Sequence, residues 1–124
     1  MDLGDLTKLQ PTAKVTYHIG GRPLTLEVRY MGADVMVDYL DKEKTSEKNR
    51  AMLADAIIGW DIVDEKAGRA PVPCDKANKD KLLPFILGRK KQIKNEQGVW
   101  VDGPTPIGWD LLGFVTEQAN FLKN

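Results

Sequence analysis

AKVTYHIGGRPLTLEVRY, residues 13–30, is the stretch on which the fold turns. In its first half Val15, Tyr17 and Ile19 alternate with Lys14, Thr16 and His18. In its second half Leu24, Leu26, Val28 and Tyr30 alternate with Thr25, Glu27 and Arg29. A period of two sends alternate side chains to opposite faces of a strand. Gly20-Gly21-Arg22-Pro23 separates the two runs, so the stretch reads as a β-hairpin with one apolar and one wet face. A lone hairpin is marginal in water, and its apolar face must therefore pack on the rest of the chain.

The rest reads mainly as helix. Val35, Met36, Val37, Tyr39 and Leu40, within residues 31–44, fit either a short strand or one or two helical turns. Thr45-Ser46 offers an N-cap, with Glu47 in the first turn. Met52, Leu53, Ala56, Ile57 and Trp60 follow at helical spacing, and Gly59 marks the helix end. DEKAGRAPVP, residues 64–73, is a turn-rich connector in which Gly68, Pro71 and Pro73 oppose regular structure. Asp75 caps a further helix with Leu82, Leu83, Phe85, Ile86, Leu87 and Ile93 on its apolar side, and Pro84 calls for a start or break. A loop over 95–106 holds Val99-Trp100-Val101 as a short strand. A last helix, 108–123, carries Leu111, Phe114, Val115, Gln118, Phe121 and Leu122 in one stripe. The expectation is an α+β fold: a polar, flexible arm over 1–12, then one domain over 13–124. In that domain the hairpin at 13–30 packs against about three α-helices.

The 124 residues suit one domain. The longest apolar runs are four or five residues, too short to cross a bilayer. MDLGDLTKLQ does not read as a signal peptide. A single cysteine, Cys74, allows no internal disulfide and suits a reducing cytosol. A formal net charge of zero argues against a dedicated nucleic-acid binder. The charge is nevertheless segregated. Residues 34–65 hold nine acids and four bases, and residues 75–94 hold seven bases and two acids. Such halves can pair within the chain or between copies; the plain reading is two solvated faces, and the sharper one is head-to-tail self-association or docking onto a charged partner.

Ile-Gly-Trp-Asp occurs twice, at Ile58–Asp61 and Ile107–Asp110. The flanking residues differ, so this is not a repeat. We expect two structural roles: Trp60 as a core anchor at a helix exit, and Asp110 as a first-turn acid with Trp109 packed near the helix start. Chemistry is sparse. His18 lies on the wet face of a strand, and Cys74 has no second cysteine with which to build a zinc site. Asp64-Glu65-Lys66 fits half of a metal-dependent nuclease pattern, with Asp55 as the nearest further carboxylate. The same residues also suit a turn. No catalytic, cofactor-binding or metal residue is assigned, and no cofactor is expected.

The middle of the chain carries a resemblance. A helix runs into Ile57-Ile58-Gly59-Trp60-Asp61-Ile62-Val63-Asp64-Glu65, followed by Gly68, Pro71-Val72-Pro73 and Leu82-Leu83-Pro84-Phe85-Ile86. With the hairpin before it, this resembles the tail assembly chaperones of long-tailed, siphophage-like bacteriophages over roughly residues 13–94. The loop and helix after Lys94 depart from that pattern. The resemblance implies a non-enzymatic factor of the host cytoplasm, absent from the mature virion. It would bind the tape measure protein and keep it soluble until tail tube protein polymerises around it. It also implies structural roles for Trp60, Asp61, Pro71 and Pro73. Self-association is expected; nucleic acid and membrane are not. Leu111, Phe114, Val115, Phe121 and Leu122 are the candidate partner-binding stripe, although burial of such a stripe in the domain's own core is the more common use. The alternatives are a virion structural protein, such as a small tail or tail-completion subunit, and a small metal-dependent nuclease using Asp55, Asp64 and Lys66.

Overall fold

The computed structural model describes residues 11–32 and 45–122. The hairpin is present as β1 (Thr12–Ile19) and β2 (Arg22–Arg29), antiparallel, with Ile19 opposite Arg22. That register leaves Gly20-Gly21 as a two-residue loop. Their φ angles of 59° and 78° are the double left-handed geometry that a tight hairpin turn requires. Tyr17, Leu24, Leu26 and Val28 are buried on the apolar face. Thr16 and Thr25 share a 2.9 Å hydroxyl contact on the other. Thr12 pairs with Arg29, so it belongs to β1 rather than to the arm. Residues 1–10, the ambiguous stretch at 33–44 and the Thr45-Ser46 cap lie outside the described residues and side chains.

Helix α1 (Thr45–Ala56) ends before Ile57, and Ile57–Trp60 forms a third strand, β3. The helical spacing through Trp60 is thus overruled. β2 offers an unpaired edge, and the β-branched Ile57-Ile58 fits it. β3 runs antiparallel to β2, with Leu26 opposite Trp60 and a bulge at Glu27/Val28, giving the order β1-β2-β3. With β3 following directly, side chains satisfy the last carbonyls of α1. Arg29 Nε donates to Asp55 O at 3.0 Å, and Lys79 Nζ donates to Ala54 O at 2.8 Å. Both cations sit where the helix dipole favours positive charge.

The connector is more regular than expected. β4 (Val63–Asp64) and β5 (Ala70–Pro71) pair antiparallel around a 3-10 turn at Glu65–Ala67. Asp64 accepts from Lys66 N, and Gly68 closes the turn at φ 68°. Asp75 caps α2 (Lys76–Leu87) by accepting from Asn78 N at 2.9 Å, as its position predicts. Pro84 lies inside α2 instead of starting or breaking it. It occupies the solvent side near the C-terminal end, while Leu83, Ile86 and Leu87 are buried.

The part expected to be helical contains a second ribbon. α2 stops at Leu87, and Ile93 lies on β6 (Lys90–Lys94), not on a helix. β6 pairs with β7 (Trp100–Pro106), which reaches further than the short strand expected at Val99-Trp100-Val101. Asn95 Oδ1 holds the connecting loop by accepting from Gln97 N and Val99 N. Helix α3 (Ile107–Thr116) ends short of the expected 108–123, and a 3-10 turn at Gln118–Asn120 follows. Phe121 then folds back into the core beside Tyr30 and Phe114. Among the described residues three α-helices thus share one core with the apolar face of the N-terminal hairpin, the expected α+β arrangement.

Candidate docking surface

The two Ile-Gly-Trp-Asp copies do different work on the same hairpin. In the first, Asp61 N donates to Thr25 O at 3.2 Å, and Thr25 N donates to Asp61 Oδ1 at 2.9 Å. Asp61 lies just beyond the last residue of β3, and its carboxylate takes the place of the next backbone acceptor. Trp60 is half-buried, and its indole N–H donates to Val72 O at 2.7 Å, tying β3 to the stretch between Pro71 and Pro73. Pro71 pairs with Val63, while Pro73 O accepts from the Asn78 side chain. Trp60 is therefore a strand residue and not a helix-exit anchor. In the second copy, Asp110 is a first-turn acid, and its carboxylate accepts from Tyr17 Oη at 2.7 Å and from Lys91 Nζ at 2.9 Å. Trp109 is 60% exposed, which corrects the expectation that it packs at the helix start.

The residues with chemical potential are dispersed. His18 stacks on Trp100 with ring centroids 3.5 Å apart, and Lys94 Nζ lies 5.3 Å from the Trp100 ring centroid. The His18 side of β1 is thus a packing surface for the ribbon. Burial pushes the Cys74 thiol upward; Lys79 opposes this and Asp75 adds to it. The thiol therefore stays protonated near neutral pH, a poor state for a nucleophile. Asp55 is on α1, whereas Asp64 ends β4 and its Oδ1 holds a turn. Among the described residues no group of three or more His, Cys, Asp or Glu side chains gathers at metal-binding distance.

The stripe proposed for partner binding is largely core. Leu111, Val115 and Phe121 are buried, Phe114 is half-buried, and only Leu122 is well exposed, at 64%. Because the chain turns after Thr116, the stripe faces the molecule's own interior. Apolar side chains away from the stripe also reach solvent. Phe85 on α2 is 72% exposed. Close by in sequence, Leu83 and Pro84 line an open groove of about 220 Å³ between α1 and α2. Ala51 and Ala54 are its small apolar residues, and Arg50, Lys79 and Asp80 supply charge. A sequence signal for Phe85 exists: Leu83, Ile86 and Leu87 mark the buried stripe, and Phe85 sits about 200° around the helix from Leu83. No known protein family, curated protein or solved structure matches the chain.

Proposed function

We propose that this protein acts by binding rather than by catalysis, as a tail assembly chaperone of a long-tailed bacteriophage. In this reading it works in the host cytoplasm and keeps the tape measure protein soluble until tail tube protein assembles. The observation that carries the reading is the open groove between α1 and α2, with Ala51, Ala54, Leu83 and Pro84 as its apolar lining. The segment Leu82-Leu83-Pro84-Phe85-Ile86, part of the resemblance, supplies Leu83 and Pro84 to this groove. An amphipathic helical client needs an apolar groove with a polar rim, and this surface has both. The stable anchoring of Trp60 and Asp61 also suits the structural roles that the resemblance implies.

Co-expression with the neighbouring tape measure protein, followed by pull-down and light-scattering mass, tests the proposal. The expected result is a soluble complex with several copies of this chain per client, weakened by Ala51→Asp in the groove. Failure to form a complex, with this chain found instead in purified virions, overturns the reading in favour of a virion structural subunit.

A further inference from the structure

A concave site of about 140 Å³ lies where the turn of the first hairpin meets the β6–β7 ribbon, lined by His18, Gly20, Arg89, Lys90, Gln92 and Asp102. These residues come from three separate stretches: the hairpin, the junction of α2 with β6, and β7. None of them lines the α1–α2 groove. The frame of the site is fixed by bonds that span those stretches. Arg89 N donates to Ile86 O at 3.2 Å, and Arg89 O accepts from Ile107 N at 2.8 Å, so its backbone is held between α2 and α3. Gln92 Oε1 accepts from Gly21 N at 2.9 Å, and Gln92 Nε2 donates to Asp102 Oδ1 at 3.1 Å. That one amide ties the hairpin turn to β7. His18 is held by its stack on Trp100. The register of the ribbon shifts between Lys90 and Gln92, an irregularity of the kind that re-aims side chains.

The polar groups of the site are unequally used. Asp102 already has Gln92 as a partner. Among the described residues the Arg89 guanidinium makes no hydrogen bond or ion pair, and the His18 imidazole makes no hydrogen bond. Lys90 Nζ makes one long contact, 3.3 Å to Pro104 O. Arg89 and Lys90 thus outweigh the single carboxylate, and the donors outnumber the acceptors they meet. We propose that this site binds a phosphate group, as the free ion or as the end of a small phosphomonoester. A guanidinium offers two parallel N–H bonds to two phosphate oxygens, and a lysine adds a point charge. The imidazole is a hydrogen-bond donor whether neutral or protonated. The volume suits a group of this size: it exceeds the roughly 30 Å³ share of one water several-fold and falls short of the ~300 Å³ at which sites for larger organic ligands begin. The site and the client groove are independent, and either can fail without the other.

The test is an NMR titration of the full chain with sodium phosphate near pH 7.5, with sodium chloride at matched ionic strength as the control. The expected result is saturation below about 10 mM phosphate, with shifts centred on the amides of Gly20, Arg89 and Gln92 and none that saturate with chloride. Arg89→Gln with Lys90→Gln should weaken binding at least tenfold. Asp102→Asn keeps an acceptor for Gln92 and removes a like charge. It should tighten binding roughly fivefold, the effect of one unit charge about 4 Å away in water. A second titration with glycerol phosphate separates the two sources. Tighter binding than inorganic phosphate assigns the site to a phosphomonoester, and equal or weaker binding assigns it to the free ion. Absence of saturable shifts overturns the proposal, as do equal shifts with chloride or undiminished binding by the double variant. Weaker binding by Asp102→Asn also overturns it, because the carboxylate would then be a ligand contact and the ligand a cation.

Discussion

The hydroxyl of Tyr17 donates to Asp110 Oδ2 at 2.7 Å and ties the first strand to α3 across 93 residues of sequence. Lys91 Nζ reaches the other carboxylate oxygen at 2.9 Å, so Asp110 joins β1, the β6–β7 ribbon and α3. Tyr17 is almost fully buried, and its hydroxyl would lose a charged acceptor if the contact broke. A hydrogen bond to a charged group contributes about 1.5–3 kcal/mol. Tyr17→Phe should therefore lower stability by roughly 1–2 kcal/mol, Lys91 still neutralising part of the Asp110 charge. Urea unfolding at neutral pH measures it.

The same pair predicts a pH dependence. Burial, then the hydrogen bond to Asp110, then its negative charge push the Tyr17 hydroxyl well above its ordinary value of 10.0. Above about pH 10 the unfolded chain releases this proton while the folded chain keeps it. The unfolded state then binds fewer protons, so stability falls as pH rises through that window. Tyr17→Phe removes this contribution, and its stability should decline less steeply between about pH 10 and 11. Parallel slopes for the two proteins would show that Tyr17 is not the group responsible.

Asp61 tests whether a side chain completes the sheet. Its Oδ1 accepts from Thr25 N just past the end of β3. Asp61→Ala should cost about 1 kcal/mol, and Asp61→Asn, which retains the oxygen, distinctly less. For a domain of this size that corresponds to roughly 3–6 °C in Tm for the alanine variant. Equal losses for the two variants would mean that the charge, and not the acceptor, matters there.

Gly103 is held by a close approach. A Cβ at this position would stand 2.8 Å from Lys91 O and 3.5 Å from Ile93 Cγ2. The first neighbour is backbone, so the ribbon must shift to admit it. Gly103→Ala should destabilise by about 1–3 kcal/mol, the usual range for overpacking. Because the ribbon packs on His18 through Trp100, tryptophan fluorescence should change along with the melting point.

Much of this fold was legible where the pattern was strictly local. The β1–β2 alternation, the Gly20-Gly21 turn and the Asp75 cap all follow from a few adjacent residues. The misses share a different cause. Ile57 and Trp60 sit at helical spacing after Leu53, yet pairing with β2 makes them strand, and no local rule reveals a waiting sheet edge. Ile93 likewise extends an apparent helix until the partner strand at Trp100–Pro106 is known. Leu111, Val115 and Phe121 were legible as an apolar stripe at helical spacing, for which burial in the core was the favoured reading, and they are buried. The fold-back after Thr116 that buries Phe121 depends on packing against Tyr30 and Phe114. Phe85 was legible as apolar, and only its phase relative to Leu83 and Ile86 marks it as outward-facing.

Cys74 offers a chemical check on the dispersed site. With its thiol held above the usual range by burial, its thiolate fraction at neutral pH is below that of a free cysteine. Alkylation by iodoacetamide near pH 7.5 should therefore run slower than for a cysteine-containing peptide. It should accelerate as pH rises. A rate faster than the peptide's would reveal an activated thiol and reopen the case for nucleophilic chemistry.

Pro84 sets stability against the proposed docking surface. Within α2 it has no N–H to donate to Asp80 O, the carbonyl four residues earlier, and a helix-interior proline costs up to about 3 kcal/mol. The helix has adapted to it at an exposed position, so Pro84→Ala should recover only part of that cost. We expect a gain of roughly 1–2 kcal/mol, read as a rise in Tm. Pro84 also lines the α1–α2 groove. If that groove holds the client, the stabilised variant should fold better and bind less tightly. Ala51→Asp, at an exposed position lining the groove, should leave Tm nearly unchanged while reducing binding. Measuring melting and client pull-down on both variants separates the two roles. Undiminished client binding by both would place the docking surface elsewhere on the molecule.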